Sequence, residues 1–424
     1  MEDYQRVTDY EATPKPGDRV LLLYSGGLDT SVMLKWLQDK YQVDVYALYV
    51  NIGQKSDDIE AIKQKALNLG AKDFIHDNAT DWLVNELGSN AIKANADYED
   101  GYHLFCPIGR IAIAESAVMV ADRYGINIVA HGATGRGNDQ IRFDSYITTL
   151  NPSLKILAPV REWNMGRDEE IEYAKENNIP VEQSLAKIYS YDENIWGCSA
   201  EGGEIEDFKK IPPLDKILKT MSSPEESKLN VEYATVLFKH GIPIGLIYDH
   251  SDIGITSLTN IIQKANKIGA AHGIGITHLI EDRVLGLKVR GIYEEPGPEI
   301  LIKAHYALEK AVSTRDEIFF KKDIDRQWAQ LVYDGKYYTP LRKHLEKFID
   351  SVNEKVTGTV TMRLYRGRAE CVAVDSPWCL NNEAAASFMK NNGFNTKASA
   401  GFIEHYNYIQ KVAYNLEKTN NENK

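Results

Sequence analysis

The sequence predicts an α/β protein: a doubly wound, parallel-sheet domain, then an α+β domain, then a carboxyl-terminal helix. Three observations carry this. Over roughly the first 180 residues, short uninterrupted apolar runs alternate with stretches of helical periodicity. A glycine pair follows directly on the first apolar run. Past about residue 185 the alternation gives way to strand pairs joined by tight turns and to long helices. Strands that are apolar throughout fit a parallel sheet covered on both faces.

Arg19-Val20-Leu21-Leu22-Leu23-Tyr24 reads as the first strand and stops at Ser25-Gly26-Gly27. Residues 30–40 place Val32, Met33, Trp36 and Leu37 at helical spacing. A second strand over 43–50 ends at Asn51-Ile52-Gly53, and a helix over 57–69 aligns Ile59, Ile62, Ala66 and Leu69. A strand over 71–76, a helix over 111–124, strands over 126–130 and 155–158 and a charged helix over 167–177 complete the first domain. Its crossovers should be right-handed. A ligand should bind at the carboxyl ends of the strands, where strand order reverses.

In the second domain, 231–238 and 244–248 flank Lys239-His240-Gly241-Ile242-Pro243, and 359–365 and 369–374 flank Arg366-Gly367-Arg368, as two hairpins. Helices are expected over 259–270 and near 299–312, 314–333 and 341–354. A last helix over 401–418 puts Phe402, Tyr406, Ile409, Ala413 and Leu416 on one face. That face either packs on its own domain or reaches onto a partner chain. The expected boundaries are 18–184, 185–395, a helical arm over 396–418 and a polar, disordered tail over 419–424.

Composition narrows the function. In 424 residues there are 49 Lys and Arg against 61 Asp and Glu, a net charge of −12. Such a surface is unsuited to nucleic acid or to an anionic membrane. No span of about 20 apolar residues exists, and Met1-Glu2-Asp3-Tyr4 has no apolar core, so a cytoplasmic protein is expected. Cys106, Cys198, Cys371 and Cys379 form no C-x-x-C pair, which fits a reducing compartment. The ten histidines make no H-E-x-x-H pattern, so no protein-held metal is expected. Trp163 and Trp196 are expected to pack, and His131 to bond at a strand end.

The chemistry concentrates in two segments. Ser25-Gly26-Gly27-Leu28-Asp29-Thr30-Ser31 lies between a strand and a helix. Glycines let the backbone approach a ligand closely, and the helix start presents amide donors and a positive dipole to an anion. This is a phosphate cradle, but without the Lys of a G-x-x-x-x-G-K-[ST] loop. It resembles the pyrophosphate loop of the ATP pyrophosphatase (PP-loop) superfamily, whose pattern is Ser-Gly-Gly-x-Asp-[Ser/Thr]. The resemblance implies an adenine nucleotide alpha hydrolase-like fold and cleavage of ATP between its α and β phosphates. It implies Mg²⁺ carried on those phosphates. The second segment, Ala130-His131-Gly132-Ala133-Thr134-Gly135-Arg136-Gly137-Asn138-Asp139-Gln140-Ile141-Arg142-Phe143, follows another strand. There Arg142 suits a carboxylate and Asp139 an ammonium, as an amino-acid substrate requires.

Taken in order, Tyr24 to Ser31, Asn51-Ile52-Gly53-Gln54, His131 to Gln140, Tyr189-Ser190-x-Asp192-Glu193-Asn194, Glu201-Gly202-Gly203 and Arg290-Gly291-Ile292-Tyr293-Glu294 resemble the argininosuccinate synthase family over residues 18–415. The resemblance implies that citrulline and aspartate are joined with ATP through a citrulline-adenylate. It implies an ATP site lined by Leu23, Tyr24, Ser25, Gly26, Gly27, Leu28, Asp29, Thr30, Ser31 and Val50 with His131, Gly132 and Gly137. It places aspartate on Thr134, Asn138 and Asp139, and citrulline on Tyr102, Asn138, Arg142, Ser190, Ser199, Glu281 and Tyr293. Asp29, Asn138, Asp139 and Arg142 are the expected catalytic group. None is a strong general base, so positioning and phosphate activation should drive the reaction. A homotetramer is also implied.

Two departures stand out. Much of that family has Tyr-x-Leu-Gly-Thr-Ser-Leu-Ala-Arg-Pro where this chain has Tyr102-His103-Leu104-Phe105-Cys106-Pro107-Ile108-Gly109-Arg110-Ile111, and Arg136 replaces a usual Lys. Cys106 is either a packing residue or the mark of a different ureido or guanidino acceptor. The competing functions are a tRNA-modifying enzyme using the same loop, which the charge disfavours, and a non-catalytic metabolite-binding paralogue, which intact Asp29, Asp139, Arg142 and Glu281 disfavour.

Overall fold

The computed structural model describes residues 4–54, 58–135, 137–163, 165–180, 188–248, 251–253, 255–382 and 395–422. Arg136, the 184/185 boundary and the last two tail residues lie outside them. The first sheet is built from β1 (Arg19–Leu23), β2 (Asp44–Asn51), β3 (Asp73–Asn78), β4 (Ile128–Ala130) and β5 (Lys155–Leu157), all parallel, in the order β3-β2-β1-β4-β5. Alternation along β1 explains its apolar run. Val20 and Leu22 face one core with Val32, Met33 and Leu37 of α1 (Leu28–Tyr41), while Leu21 faces the other with Leu48 and Val129. Strand order reverses between β1 and β4, which are hydrogen-bonded neighbours. Both chemistry-bearing loops leave the carboxyl ends of these two strands.

Helix α2 (Ile59–Asn68) follows β2. Helix α3 (Phe105–Tyr124) starts six residues before the expected 111. Pro107 hid that start, yet a proline in the first turn removes only an amide with no helical acceptor. The buried Glu295 carboxylate replaces a local cap, accepting from the amides of His103 (2.8 Å) and Phe105 (3.2 Å). Helices α4 (Asp139–Leu150) and α5 (Arg167–Glu176) complete the first half.

The second half holds two antiparallel sheets. Strands β6 (Ser190–Glu193), β7 (Cys198–Glu201), β11 (Ile276–Asp282) and β12 (Lys288–Glu294) form a four-stranded sheet in the order β11-β12-β7-β6. The expected hairpins, β8 (Glu232–Lys239) with β9 (Ile242–Tyr248) and β13 (Gly358–Tyr365) with β14 (Arg368–Asp375), join β10 (Ser251–Ile253) in a five-stranded sheet. Helices α6 (Leu258–Ala271), α7 (Pro296–Val312), α8 (Arg315–Tyr333) and α9 (Pro340–Asn353) pack in the same unit, which extends to Trp378.

From Cys379 the chain forms a second unit. It carries α10 (Ala398–Tyr406) and α11 (Tyr408–Glu422) in place of the single expected helix, and residues 419–422 are helical rather than a disordered tail. Phe402, Ile403, Tyr406, Ile409, Tyr414 and Leu416 are all exposed there.

Candidate active site

The first strand end leads into a helix N-terminus, where the Gly27 amide reaches the Ser25 hydroxyl at 3.4 Å. Gly27 is the N-cap of α1 and brings no side-chain cap. Gly26 sits at φ +80°, where a Cβ would also lie 2.8 Å from Cγ1 of Ile62. Glycine is required on both counts. The half-buried Lys65 of α2 donates to the Gly26 carbonyl at 2.8 Å, so a cation does reach the loop, from outside its motif. Ser25 and Thr30 hydroxyls lie 3.3 Å apart beside the bend. Ser31 differs from expectation. Its hydroxyl is buried, donates to the Gly27 carbonyl (2.7 Å) and meets the Tyr24 hydroxyl (3.1 Å), so it braces the loop from behind. Leu23 and Leu28 are half-buried, Asp29 is exposed in the first turn of α1, and Val50 is buried in β2 beside β1.

The loop after β4 is braced in the same way. His131 is fully buried. Its Nδ1 accepts from the Ala133 amide (3.2 Å), so Nε2 carries the proton and donates to Asp144 (2.7 Å). His131 therefore bonds within the protein through both ring nitrogens and shapes the loop, as expected of a strand-end residue. Gly132 passes so close to Met33 that a Cβ would lie 2.3 Å from Cε. Gly137 closes a turn onto the exposed Thr134, its amide donating to that carbonyl at 3.2 Å.

At the start of α4 the side chains converge on an ion cluster. Asp139 accepts from Nε of Arg110 and from Nη1 of Arg142, both at 2.9 Å. Arg110 continues to Asp192 of β6 at 2.5 Å. Burial alone would raise the Asp139 carboxyl, but Arg110 and Arg142 outweigh it and hold it well below the usual carboxylate range. Asp139 is thus a poor base, and both of its oxygens are already paired with arginines. Arg142, only 3% exposed, puts Nε and Nη2 on the Tyr333 carbonyl (3.0 and 2.9 Å). Its Nη1 edge faces Asp139 at 2.9 Å and the Cys106 sulfur at 3.7 Å. Cys106 stands inside the cluster, its thiol 3.4 Å from Asp139 and its amide donating to the Tyr102 hydroxyl at 3.2 Å. Burial raises its thiol well above the ordinary range, so it is a neutral donor where a hydroxyl was expected.

Glu281 is a buried carboxylate beside the cluster. It is 4% exposed and takes a hydroxyl on each oxygen, from Tyr293 (3.2 Å) and Tyr333 (2.9 Å). Burial raises its carboxyl above the usual value. Tyr102 packs on Tyr293 with ring centroids 4.4 Å apart, and Ser199 pairs with Tyr293 across β7 and β12. Ser190 lies exposed at the start of β6. Asn138 is spoken for at both ends: its Nδ2 donates to the Tyr333 hydroxyl (2.9 Å) and its Oδ1 accepts from the Val284 amide (3.0 Å). Arg110 and Tyr333 are the residues at the centre of this cluster that sequence reasoning did not single out. Arg110 was visible in the 102–111 motif, whereas Tyr333 ends an ordinary helix and carries no motif at all.

Comparison with known proteins gives the family. The Arginosuccinate synthase N-terminal HUP domain profile matches residues 19–180, and the Arginosuccinate synthase C-terminal domain profile matches residues 189–413. The argininosuccinate synthase of Pyrococcus furiosus is 43% identical over 94% of this chain and 95% of its own. That of Alkaliphilus metalliredigens is 43% identical over 91% and 92%, and that of Dictyoglomus turgidum 42% over 94% and 98%. With both profiles matched in order and relatives similar from end to end, the chain belongs to the argininosuccinate synthase family.

Proposed function

We propose that this protein is an ATP-dependent ligase that joins citrulline to aspartate, releasing AMP and pyrophosphate, in arginine biosynthesis. The observation that carries it is the pairing, on neighbouring strands, of an uncapped helix N-terminus with a loop that leads into a buried ion cluster. Residues 18–184 supply the nucleotide half and 185–395 most of the acceptor half. The ureido oxygen of citrulline attacks the α-phosphorus and pyrophosphate leaves. The aspartate amine then attacks the ureido carbon and AMP leaves. Amides of the Gly26-Gly27 bend and the α1 start, with the positive helix end, stabilise the charge that develops on the leaving pyrophosphate. Mg²⁺ fits here on the phosphates, with the exposed Asp29 as the loop's own carboxylate, and would neutralise phosphate charge. Glu281 takes the citrulline ammonium, while Arg110 and Asp139 hold Arg142 in place. No side chain in the cluster is a competent base, so protons pass to phosphate oxygens.

The test is pyrophosphate release with citrulline and aspartate, beside ureido and guanidino compounds of other chain lengths. Release that requires both amino acids supports the reading, and preference for another acceptor would assign the Cys106 thiol a role in selectivity. No release with any acceptor would make this a metabolite-binding protein. Among the described residues no helix is long and apolar enough to cross a membrane, in keeping with a cytoplasmic enzyme. A homotetramer is proposed as well, supported by the exposed apolar side chains of α10 and α11. Deleting residues from Gly401 onward should then lower the native mass by light scattering, and an unchanged mass rules out that role for the arm.

A further inference from the structure

Tyr333 meets three of the expected substrate residues at once. Its carbonyl lies in the last turn of α8, where no helical donor exists. Nε and Nη2 of Arg142 take that carbonyl together, and the Arg142 guanidinium lies 5.0 Å over the Tyr333 ring. The helix end favours the cation. The hydroxyl is a relay of fixed sense: it accepts from Asn138 and gives its one proton to Glu281, with the Asp282 carbonyl as a longer acceptor at 3.3 Å. The ring itself is clamped. Tyr98 stacks on it with centroids 3.6 Å apart and planes 9° off parallel, and the Tyr98 hydroxyl donates to the Asp282 carbonyl at 2.9 Å. Tyr333 is only 1% exposed, so this geometry is set by packing before any ligand arrives.

We infer that Tyr333 is a positioning residue for the acceptor amino acid: through one carbonyl and one hydroxyl it fixes Arg142, Asn138 and Glu281 in the arrangement that reads the acceptor's two charged groups. The inference rests on the ligase reading for the identity of that acceptor. Its consequence falls on Glu281. Facing that carboxylate are Tyr293 of β12, Tyr333 of α8, Tyr98, Arg142 of α4, Glu201 of β7 and Arg283, whose Nε is 4.0 Å away. Burial and Glu201 oppose its charge, while the Tyr333 hydroxyl, Arg142 and Arg283 favour it. Removing the hydroxyl therefore raises the Glu281 carboxyl further. A carboxylate that must be ionised to hold an ammonium then loses its grip at a higher pH than before.

Tyr333→Phe keeps the ring and its stacking. In full-length protein it should raise KM for citrulline roughly tenfold, the size of one lost hydrogen bond to a charged group. KM for ATP should stay unchanged, and the acid limb of kcat/KM for citrulline should move to higher pH. In a Glu281→Gln background the same exchange should add much less. Citrulline titration by calorimetry, wild type against Y333F, repeats the comparison without turnover. A wild-type KM and acid limb in Y333F, equal losses for ATP and citrulline, or full additivity with Glu281→Gln would each overturn the proposal. A wild type that binds citrulline yet releases no pyrophosphate would sink the ligase reading alone, and calorimetry would then decide Tyr333. A wild type that binds no citrulline would sink both.

Discussion

Replacing Asp139 with Ala should abolish measurable pyrophosphate release and cost about 3 kcal/mol of stability, the lower end of the range for breaking a buried ion pair. The lower end applies because the Asp139 side chain is 27% exposed. The loss is large because two cations depend on it. Arg142 is left with the Tyr333 carbonyl and Arg110 with Asp192, each short of an anion it had within 2.9 Å. The Nη1 edge of Arg142 then swings out of register with the acceptor. Asp139→Asn, which keeps an acceptor oxygen but no charge, should fall between. The pH dependence has a definite sign. A carboxyl held below its unfolded value contributes stability that is complete above the ordinary carboxylate range and is lost as pH falls through the lower, folded value. The urea midpoint of the wild type should thus exceed that of Asp139→Asn at neutral pH, and the gap should narrow as pH falls below the ordinary carboxylate range. Equal midpoints for wild type and D139A would refute the ion-cluster account.

Gly26→Ala should lower kcat/KM for ATP by a factor on the order of 10² to 10³, the cost of losing one preorganised donor to a developing anion. The added methyl meets Cγ1 and Cγ2 of Ile62 at 2.8 and 3.0 Å, so either the half-buried Ile62 or the bend must shift. The left-handed backbone adds about 1 kcal/mol against any L side chain. The bend relaxes by turning its amides, because the strand before it and the helix after it are buried and fixed. Citrulline affinity, set more than one loop away, should be unaffected. An ATP dependence like that of the wild type in G26A would show that the bend does not read phosphate.

The parts of this account that were legible in the sequence share a physical cause. β1, α1, β2 and β4 were plain because both faces of the sheet are buried, so apolar runs and helical spacing are forced. The bend after β1 was plain because the left-handed backbone at Gly26 favours glycine. The four-stranded sheet was not, since β6 reads Ser-Tyr-Asp-Glu and its strands are held by partners distant in sequence, Cys198 pairing with both Glu193 and Glu294. The start of α3 was hidden because Glu295, some 190 positions away, supplies its cap. The site residues were visible by type, but their bonds to one another were not. Asp139 and His131 were assigned to ligands, and the structure shows them bonded to Arg110, Arg142 and Asp144. Pairing of this kind depends on which side chains the fold brings together, and no local pattern encodes it.

The central claim is that the amides of the Gly26-Gly27 bend and the first turn of α1 hold the phosphates that leave. A crystal structure with ATP or pyrophosphate bound tests it most directly. The account predicts β- and γ-phosphate oxygens within hydrogen-bond distance of those amides, with Lys65 still on the Gly26 carbonyl. Phosphates seated elsewhere, with the bend's amides closed off by the protein's own groups, would contradict it.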